Sequence, residues 1–91
     1  MLKARMNVQG RVQGVGFRYT TKILADSMGV HGTVKNEEDG SVTIEAIAPR
    51  DIMTEFINKV KKSPSPAGRV TQVDITDDSL IPDRETFDVL Y

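Results

Sequence analysis

The chain has 91 residues, a formal net charge of −1 and 38% hydrophobic residues, a composition typical of one small globular domain. It contains no cysteine, which excludes disulfides, thiolate zinc sites and cysteine nucleophiles and fits the cytoplasmic location that we expect. No apolar run approaches the roughly 18 residues of a membrane-spanning helix, and no secretory signal is recognisable, so we expect no membrane association.

The charges are distributed unevenly along the chain. From Met1 to Ala25 there are five basic residues and no acidic one, whereas the remainder carries a net charge of −6. A positive first quarter in a nearly neutral protein indicates a local site for a small anion. The overall charge would not attract a nucleic acid, and we expect none as a partner.

The first half of the chain predicts a strand, a helix and a hairpin. Apolar residues alternate with polar ones from Leu2 to Val8, which is typical of a half-buried strand. A helical stripe then runs from Phe17 to Met28 and ends at Gly29. A second strand over Val30–Asn36 and a third over Val42–Ala48 flank a turn that contains the Asp39-Gly40 pair.

The second half predicts a helix and two further strands. The helix opens at Pro49-Arg50-Asp51 and carries an apolar stripe from Met53 to Val60. A loop over residues 63–68 leads to a fourth strand marked by Val73 and Ile75. A polar connection over residues 77–85 precedes a short final strand marked by Phe87, Val89 and Tyr91.

This order of elements predicts an α+β fold of the ferredoxin-like, split β-α-β type. The pattern is βαββαβ with a short extra C-terminal strand, and two helices cover one face of a largely antiparallel sheet. We expect residues 1–91 to form a single domain.

A glycine-rich segment, Gly10 to Arg18, joins the first strand to the first helix. Such a loop can direct backbone N–H groups at one anion, beside the positive end of the helix dipole. Arg18 follows at the helix start, where its guanidinium can bind two phosphate oxygens. The spacing matches neither Walker A nor the dinucleotide fingerprint. The alternative is that the glycines only allow a tight turn.

Two motifs resemble the signatures of the acylphosphatase family. Gly10-x-Val12-Gln13-Gly14-Val15-x-Phe17-Arg18 is similar to its first signature, and Gly32-Thr33-Val34-Lys35-Asn36-(x)3-Gly40-x-Val42 to its second. The likeness extends over essentially the whole chain, and the first motif is the more specific. The chain departs from the family pattern at Thr33, where an aromatic residue is usual, and at Ala48, where glycine is frequent.

The resemblance implies hydrolysis of a small-molecule acyl phosphate to a carboxylate and inorganic phosphate, without metal or cofactor. We expect a monomer because the chain is a single, nearly neutral domain. The resemblance also implies roles for individual residues. Arg18 would bind the phosphate oxygens and Asn36 would hold the attacking water. The backbone of the loop would cradle the phosphate through Arg11, Val12, Gln13, Gly14, Val15 and Gly16.

Other residues leave alternatives open. Gln13 would either touch substrate or brace the loop, and Arg11 would either add to the positive field or face solvent. Tyr19 and Thr20 open the first helix and would either line the site or, as we expect, pack. We expect His31 to be solvent-facing or to cap, and the acidic turn at residues 37–39 to be solvated.

A second hypothesis is a non-catalytic module that binds phosphate or an acyl phosphate. The loop and Arg18 would serve binding and catalysis equally well, so Asn36 is the residue that discriminates between them. RNA binding is not expected, because strands 1 and 3 carry no aromatic residue on which bases could stack.

Overall fold

A computed structural model describes residues 1–91 and confirms the predicted order of elements. The elements are β1 (Leu2–Arg11), α1 (Phe17–Met28), β2 (His31–Asn36), β3 (Val42–Ala48), α2 (Arg50–Lys61), β4 (Arg69–Asp77) and β5 (Phe87–Leu90). Gly29 ends α1 in the left-handed conformation at φ 73°, as its position in the sequence predicts.

The five strands form one sheet in the order β4-β1-β3-β2-β5. All neighbours are antiparallel except β2 and β5, which run parallel, so the largely antiparallel sheet is confirmed. The parallel pair aligns Lys35 with Leu90 and therefore brings the end of β5 close to Asn36, the last residue of β2.

The core lies between the sheet and both helices, which cover the same face. The alternating residues of β1 and β3 point into it, as predicted, and the stripes of α1 and α2 supply the rest. Burial of these side chains is the main stabilising contribution, at about 1.5–3 kcal/mol for each large apolar one. The largest fully buried side chains include Phe17, Phe56, Phe87, Met6 and Ile44.

The edge strand β4 is longer than the sequence pattern indicates. Val73 and Ile75 mark only its middle, whereas eight of its nine residues pair with β1 from Ala4 to Arg11, with a bulge at Thr71. Its outer side faces solvent, and Ile75 is 41% exposed. An edge strand is held by backbone pairing on one side, so its ends need no apolar residues to mark them.

The connection from β4 to β5 crosses the face of the sheet that the helices leave open. Lys3 Nζ donates to the Ile81 carbonyl at 2.6 Å, and His31 Nδ1 lies 2.8 Å from the carbonyl oxygen of Arg84. Ile81 is 1% exposed. The polar connection that the sequence predicts is therefore anchored by one buried apolar side chain, which the sequence pattern did not indicate.

Neither helix combines the length and the apolar character needed to cross a membrane.

Candidate active site

The segment from Val12 to Gly16 turns the chain from β1 into α1. Gly14 and Gly16 adopt φ values of 73° and 74°, in the left-handed region that glycine enters without steric cost. Gly16 is also the N-cap of α1, and no side chain caps this helix end. The glycines therefore set the path of the loop and leave the start of the helix open.

The backbone N–H groups of this loop are free of backbone acceptors. None of those from Val12 to Gly16 donates to a carbonyl, and the Thr20 N–H, at 3.0 Å from the Gly16 carbonyl, begins the hydrogen bonding of α1. Unpaired N–H groups beside the positive end of a helix dipole favour an anion. The loop thus has the donors that a phosphate group requires.

Side-chain hydrogen bonds to two distant segments hold the loop in place. Gln13 Nε2 donates to the carbonyls of Glu37 and Ser41, at 2.8 and 2.9 Å, and so ties the loop to the β2–β3 hairpin. Ser65 Oγ donates to the Val15 carbonyl. Of the two alternatives for Gln13, the structure shows the brace. The contribution of Ser65 was not foreseen from the sequence, since only its place between two prolines distinguishes it.

Arg18 lies in the first turn of α1 and is oriented by the segment that ends β5. Its Nη1 donates to the Leu90 carbonyl at 3.1 Å, and its guanidinium carbon lies 4.8 Å from the centre of the Tyr91 ring. No carboxylate pairs with it. Its positive charge is therefore held in one geometry without a neutralising partner.

Asn36 ends β2 with an unsatisfied acceptor. Its Oδ1 atom is buried and has no hydrogen-bond partner in the protein. Most buried polar atoms in proteins are paired, and an exception points to a ligand or water that completes the bonding.

A single cavity of about 190 Å³ joins the loop, Arg18 and Asn36. It is smaller than the roughly 300–1,000 Å³ of sites for drug-sized ligands, and so suits a small molecule. Five of the residues to which the resemblance assigns a role in binding or catalysis line it: Val12, Gly14, Gly16, Arg18 and Asn36. The other lining residues are Phe17, Tyr19, Val89 and Tyr91. The side chains of Arg11, Gln13 and Val15 do not line it. Arg11 is exposed at the end of β1.

The aromatic residues around the cavity differ from expectation. Tyr19 is 67% exposed and lines the cavity, so the expected packing role is wrong and the alternative of a lining residue is the one that the structure shows. Tyr91 lies just beyond β5 instead of within it. Thr20 stays outside the cavity wall, and its hydroxyl donates to the carbonyls of Gly16 and Phe17.

The remaining candidates lie away from the cavity. His31 donates from Nδ1 to the Arg84 carbonyl and fastens the crossing segment to the sheet. In the acidic turn, the hydroxyl and backbone N–H of Ser41 donate to Asp39, which holds the pKa of that carboxyl below its usual value. No group of three or more histidine or acidic side chains is placed to hold a metal ion. Thr33 and Ala48 are buried and do not line the cavity.

Comparisons with known proteins agree on one family. A family model described as acylphosphatase matches residues 4–89. A curated acylphosphatase of Enterococcus faecalis is 67% identical over 90 residues, covering 99% of either chain, and one of Listeria welshimeri is 51% identical over 88 residues, covering 97% of this chain and 95% of its own. The crystal structure of acylphosphatase from Bacillus subtilis superposes with a TM-score of 0.94 at 40% identity, over 100% of both chains.

Proposed function

The chain belongs to the acylphosphatase family and is an enzyme that hydrolyses acyl phosphates, and we propose that its loop and Arg18 hold the substrate phosphate while Asn36 orients the attacking water. The observation that carries this proposal is that one cavity collects Gly14, Gly16, Arg18 and Asn36.

Charge complementarity is the main contribution of the loop and Arg18. A phosphoryl group in transfer spreads negative charge over its equatorial oxygens, and the protein stabilises it by position and charge more than by covalent chemistry. The unpaired N–H groups of the loop and the unneutralised guanidinium of Arg18 are donors fixed before the substrate arrives. Donors fixed in this way lose no energy to reorganisation during the reaction.

Asn36 supplies orientation without acting as a base. Its buried Oδ1 can accept a hydrogen bond from water, but a neutral amide cannot take the proton. As the water oxygen bonds to phosphorus, the bond from phosphorus to the acyl oxygen breaks and the carboxylate leaves. The proton of the water passes to the substrate phosphate. A carboxylate is a weak base, so its departure requires no strong general acid.

We propose that the reaction needs neither metal nor cofactor, because the loop amides and Arg18 already provide the positive charge that a metal ion would bring. Turnover of benzoyl phosphate should be the same before and after treatment with EDTA. A strong loss of activity that added divalent cation restores would contradict this part of the proposal.

The assignment of roles is tested by turnover of benzoyl phosphate and by affinity for inorganic phosphate. Arg18→Ala should lose phosphate affinity and lower kcat/KM by about 10²-fold or more, because a charge-assisted bidentate contact is removed. Asn36→Ala should lower kcat by about 10²-fold through misplaced water while phosphate still binds. Arg50→Ala and Asn58→Ala, at exposed positions of α2, are the matched controls and should behave as wild type.

Each variant has an outcome that removes its residue from the mechanism. Near-normal turnover by Arg18→Ala would exclude that guanidinium, and near-normal turnover by Asn36→Ala would exclude the water role. If wild type bound phosphate but hydrolysed no acyl phosphate, the alternative of a binding module would replace the proposal.

We further propose that residues 1–91 act as one acylphosphatase-like domain and as a cytoplasmic monomer that releases inorganic phosphate. The loop, Arg18 and Asn36 of a single chain already meet at the cavity, so a second copy is not needed to bring them together. Sedimentation equilibrium at assay concentration should give the mass of a single chain, 10.1 kDa. A dimer mass would contradict the monomer.

A further inference from the structure

Both tyrosines of the chain lie on the same cavity. Tyr19 is 67% exposed and Tyr91 is 96% exposed, and they are the aromatic members of the small set of large apolar side chains that the surface displays. Neither contributes to the core. Exposed aromatic residues at the mouth of a binding cavity point to contact with a ligand, because their large apolar faces gain most from being covered.

The lining of the cavity divides into two chemical sets. Arg18, Asn36 and the glycines of the loop offer charge and hydrogen bonds, whereas Val89 and the two tyrosines offer apolar surface. An acyl phosphate has the same two parts, a dianionic phosphate and an acyl group. If the polar set holds the phosphate, the apolar set is left for the acyl group.

We propose that Tyr19 and Tyr91 form the acyl-group subsite and that the enzyme prefers acyl phosphates with planar, apolar acyl groups to those with a small aliphatic group. This inference rests on the proposed function. One face of the Tyr91 ring lies 4.8 Å from the Arg18 guanidinium carbon, which places the ring beside the proposed phosphate position. A tyrosine has only two side-chain torsions to restrict, so little conformational entropy is lost when it closes on a ligand.

The inference is tested by the ratio of kcat/KM for benzoyl phosphate to that for acetyl phosphate. Dividing the ratio of a variant by that of wild type removes the intrinsic reactivities of the two substrates. Tyr19→Ala should lower the ratio about three- to tenfold, the range expected for loss of one aromatic contact. Tyr19→Phe should restore it, because the ring and not the hydroxyl makes the contact.

Two further variants separate the subsite from other effects. Ile23→Ala removes another exposed apolar side chain one turn further along α1, outside the cavity, and should leave the ratio unchanged. Tyr91→Ala should lower the ratio as well, and should also slow both substrates because Arg18 loses its stacking partner. An equal loss for both substrates in Tyr91→Ala would assign that residue to positioning Arg18 alone.

Binding of non-hydrolysable phosphonates keeps the test independent of turnover. By calorimetry, Tyr19→Ala should raise the Kd of benzylphosphonate about three- to tenfold more than that of methylphosphonate. If Tyr19→Ala changes neither the kinetic ratio nor the difference between the two phosphonates, the acyl subsite is refuted. Failure of the proposed function would instead appear as Arg18→Ala binding methylphosphonate as tightly as wild type.

Discussion

Replacing Gln13 by methionine should weaken both the fold and the catalysis, although its side chain does not line the cavity. Its amide joins the loop to the hairpin that follows Asn36, by hydrogen bonds to the carbonyls of Glu37 and Ser41. Methionine has a similar length and fills the space, but it donates no hydrogen bond. The substitution therefore removes the link between the two parts of the site and little else.

The expected loss of stability depends on which hydrogen bonds the Glu37 and Ser41 carbonyls retain after the substitution. The Glu37 carbonyl still accepts from Gly40 N–H at 3.3 Å, and the Ser41 carbonyl still accepts from Glu37 N–H at 2.8 Å. Neither is left unpaired, so each lost bond is worth about 0.5–1 kcal/mol, near the lower end for a buried hydrogen bond. We expect unfolding free energy to fall by about 1–2 kcal/mol. We expect kcat to fall about tenfold or more, since a shift of about 1 Å at a site costs about 10²-fold.

Urea unfolding and turnover of benzoyl phosphate measure the two effects. Gln9→Met is the matched control, because the Gln9 amide contacts only the side chains of Asn7 and Asp74. It should change stability by less than about 0.5 kcal/mol. If Gln13→Met and Gln9→Met have the same unfolding midpoint and the same kcat, the brace has no energetic role and the reasoning fails.

Substitutions at three further positions test separate features of the structure. Thr21→Val should raise Tm by about 4–8 °C in a thermal scan, because the buried Thr21 hydroxyl has no hydrogen-bond partner and its removal should stabilise the folded state by about 1 kcal/mol. A lower Tm would show that the hydroxyl does have a partner. Gly14→Ala should lower the unfolding free energy by about 1–2 kcal/mol, since φ is 73° and a Cβ meets no atom within 4 Å. Gly14→Asn should lower it less, and equal losses would argue against backbone strain. Lys3, through its hydrogen bond and its charge, lowers the pKa of Asp83 from 3.8. The stabilisation is therefore present above that pH and lost as the pH falls through the lower folded-state pKa. Asp83→Asn should be slightly less stable than wild type at pH 7, with a difference that shrinks in urea titrations below pH 3.8; a constant difference would contradict the linkage.

Local patterns in the sequence were enough to predict most of the fold. The alternation from Leu2 to Val8 identified both the strand and its buried side, because side-chain direction in a strand repeats every two residues. Gly29 indicated the end of α1 because helices commonly end at a residue in the left-handed conformation, which glycine adopts most easily. The bounds of the edge strand β4 were harder to predict, because no neighbouring strand lies on its outer side and its residues there need not be apolar.

Contacts between distant segments were not predictable in the same way. Ser65 reaches Val15 across 50 positions of the chain, and Ile81 is buried although it lies in a segment of mostly polar residues. For the site, the sequence placed Asn36 at a strand end and Arg18 at a helix start. That the two share one cavity depends on the parallel pairing of β2 with β5 and on the packing of α1, which no local pattern encodes.

The most direct measurement of the central claim is a titration of the ¹⁵N-labelled protein with inorganic phosphate, followed through the backbone amide signals. If the loop and Arg18 hold the phosphate, the amides from Gln13 to Gly16 should shift saturably with a single Kd, and Arg18→Ala should abolish the shifts. Saturable shifts confined to another part of the chain, or unchanged shifts in Arg18→Ala, would contradict the account.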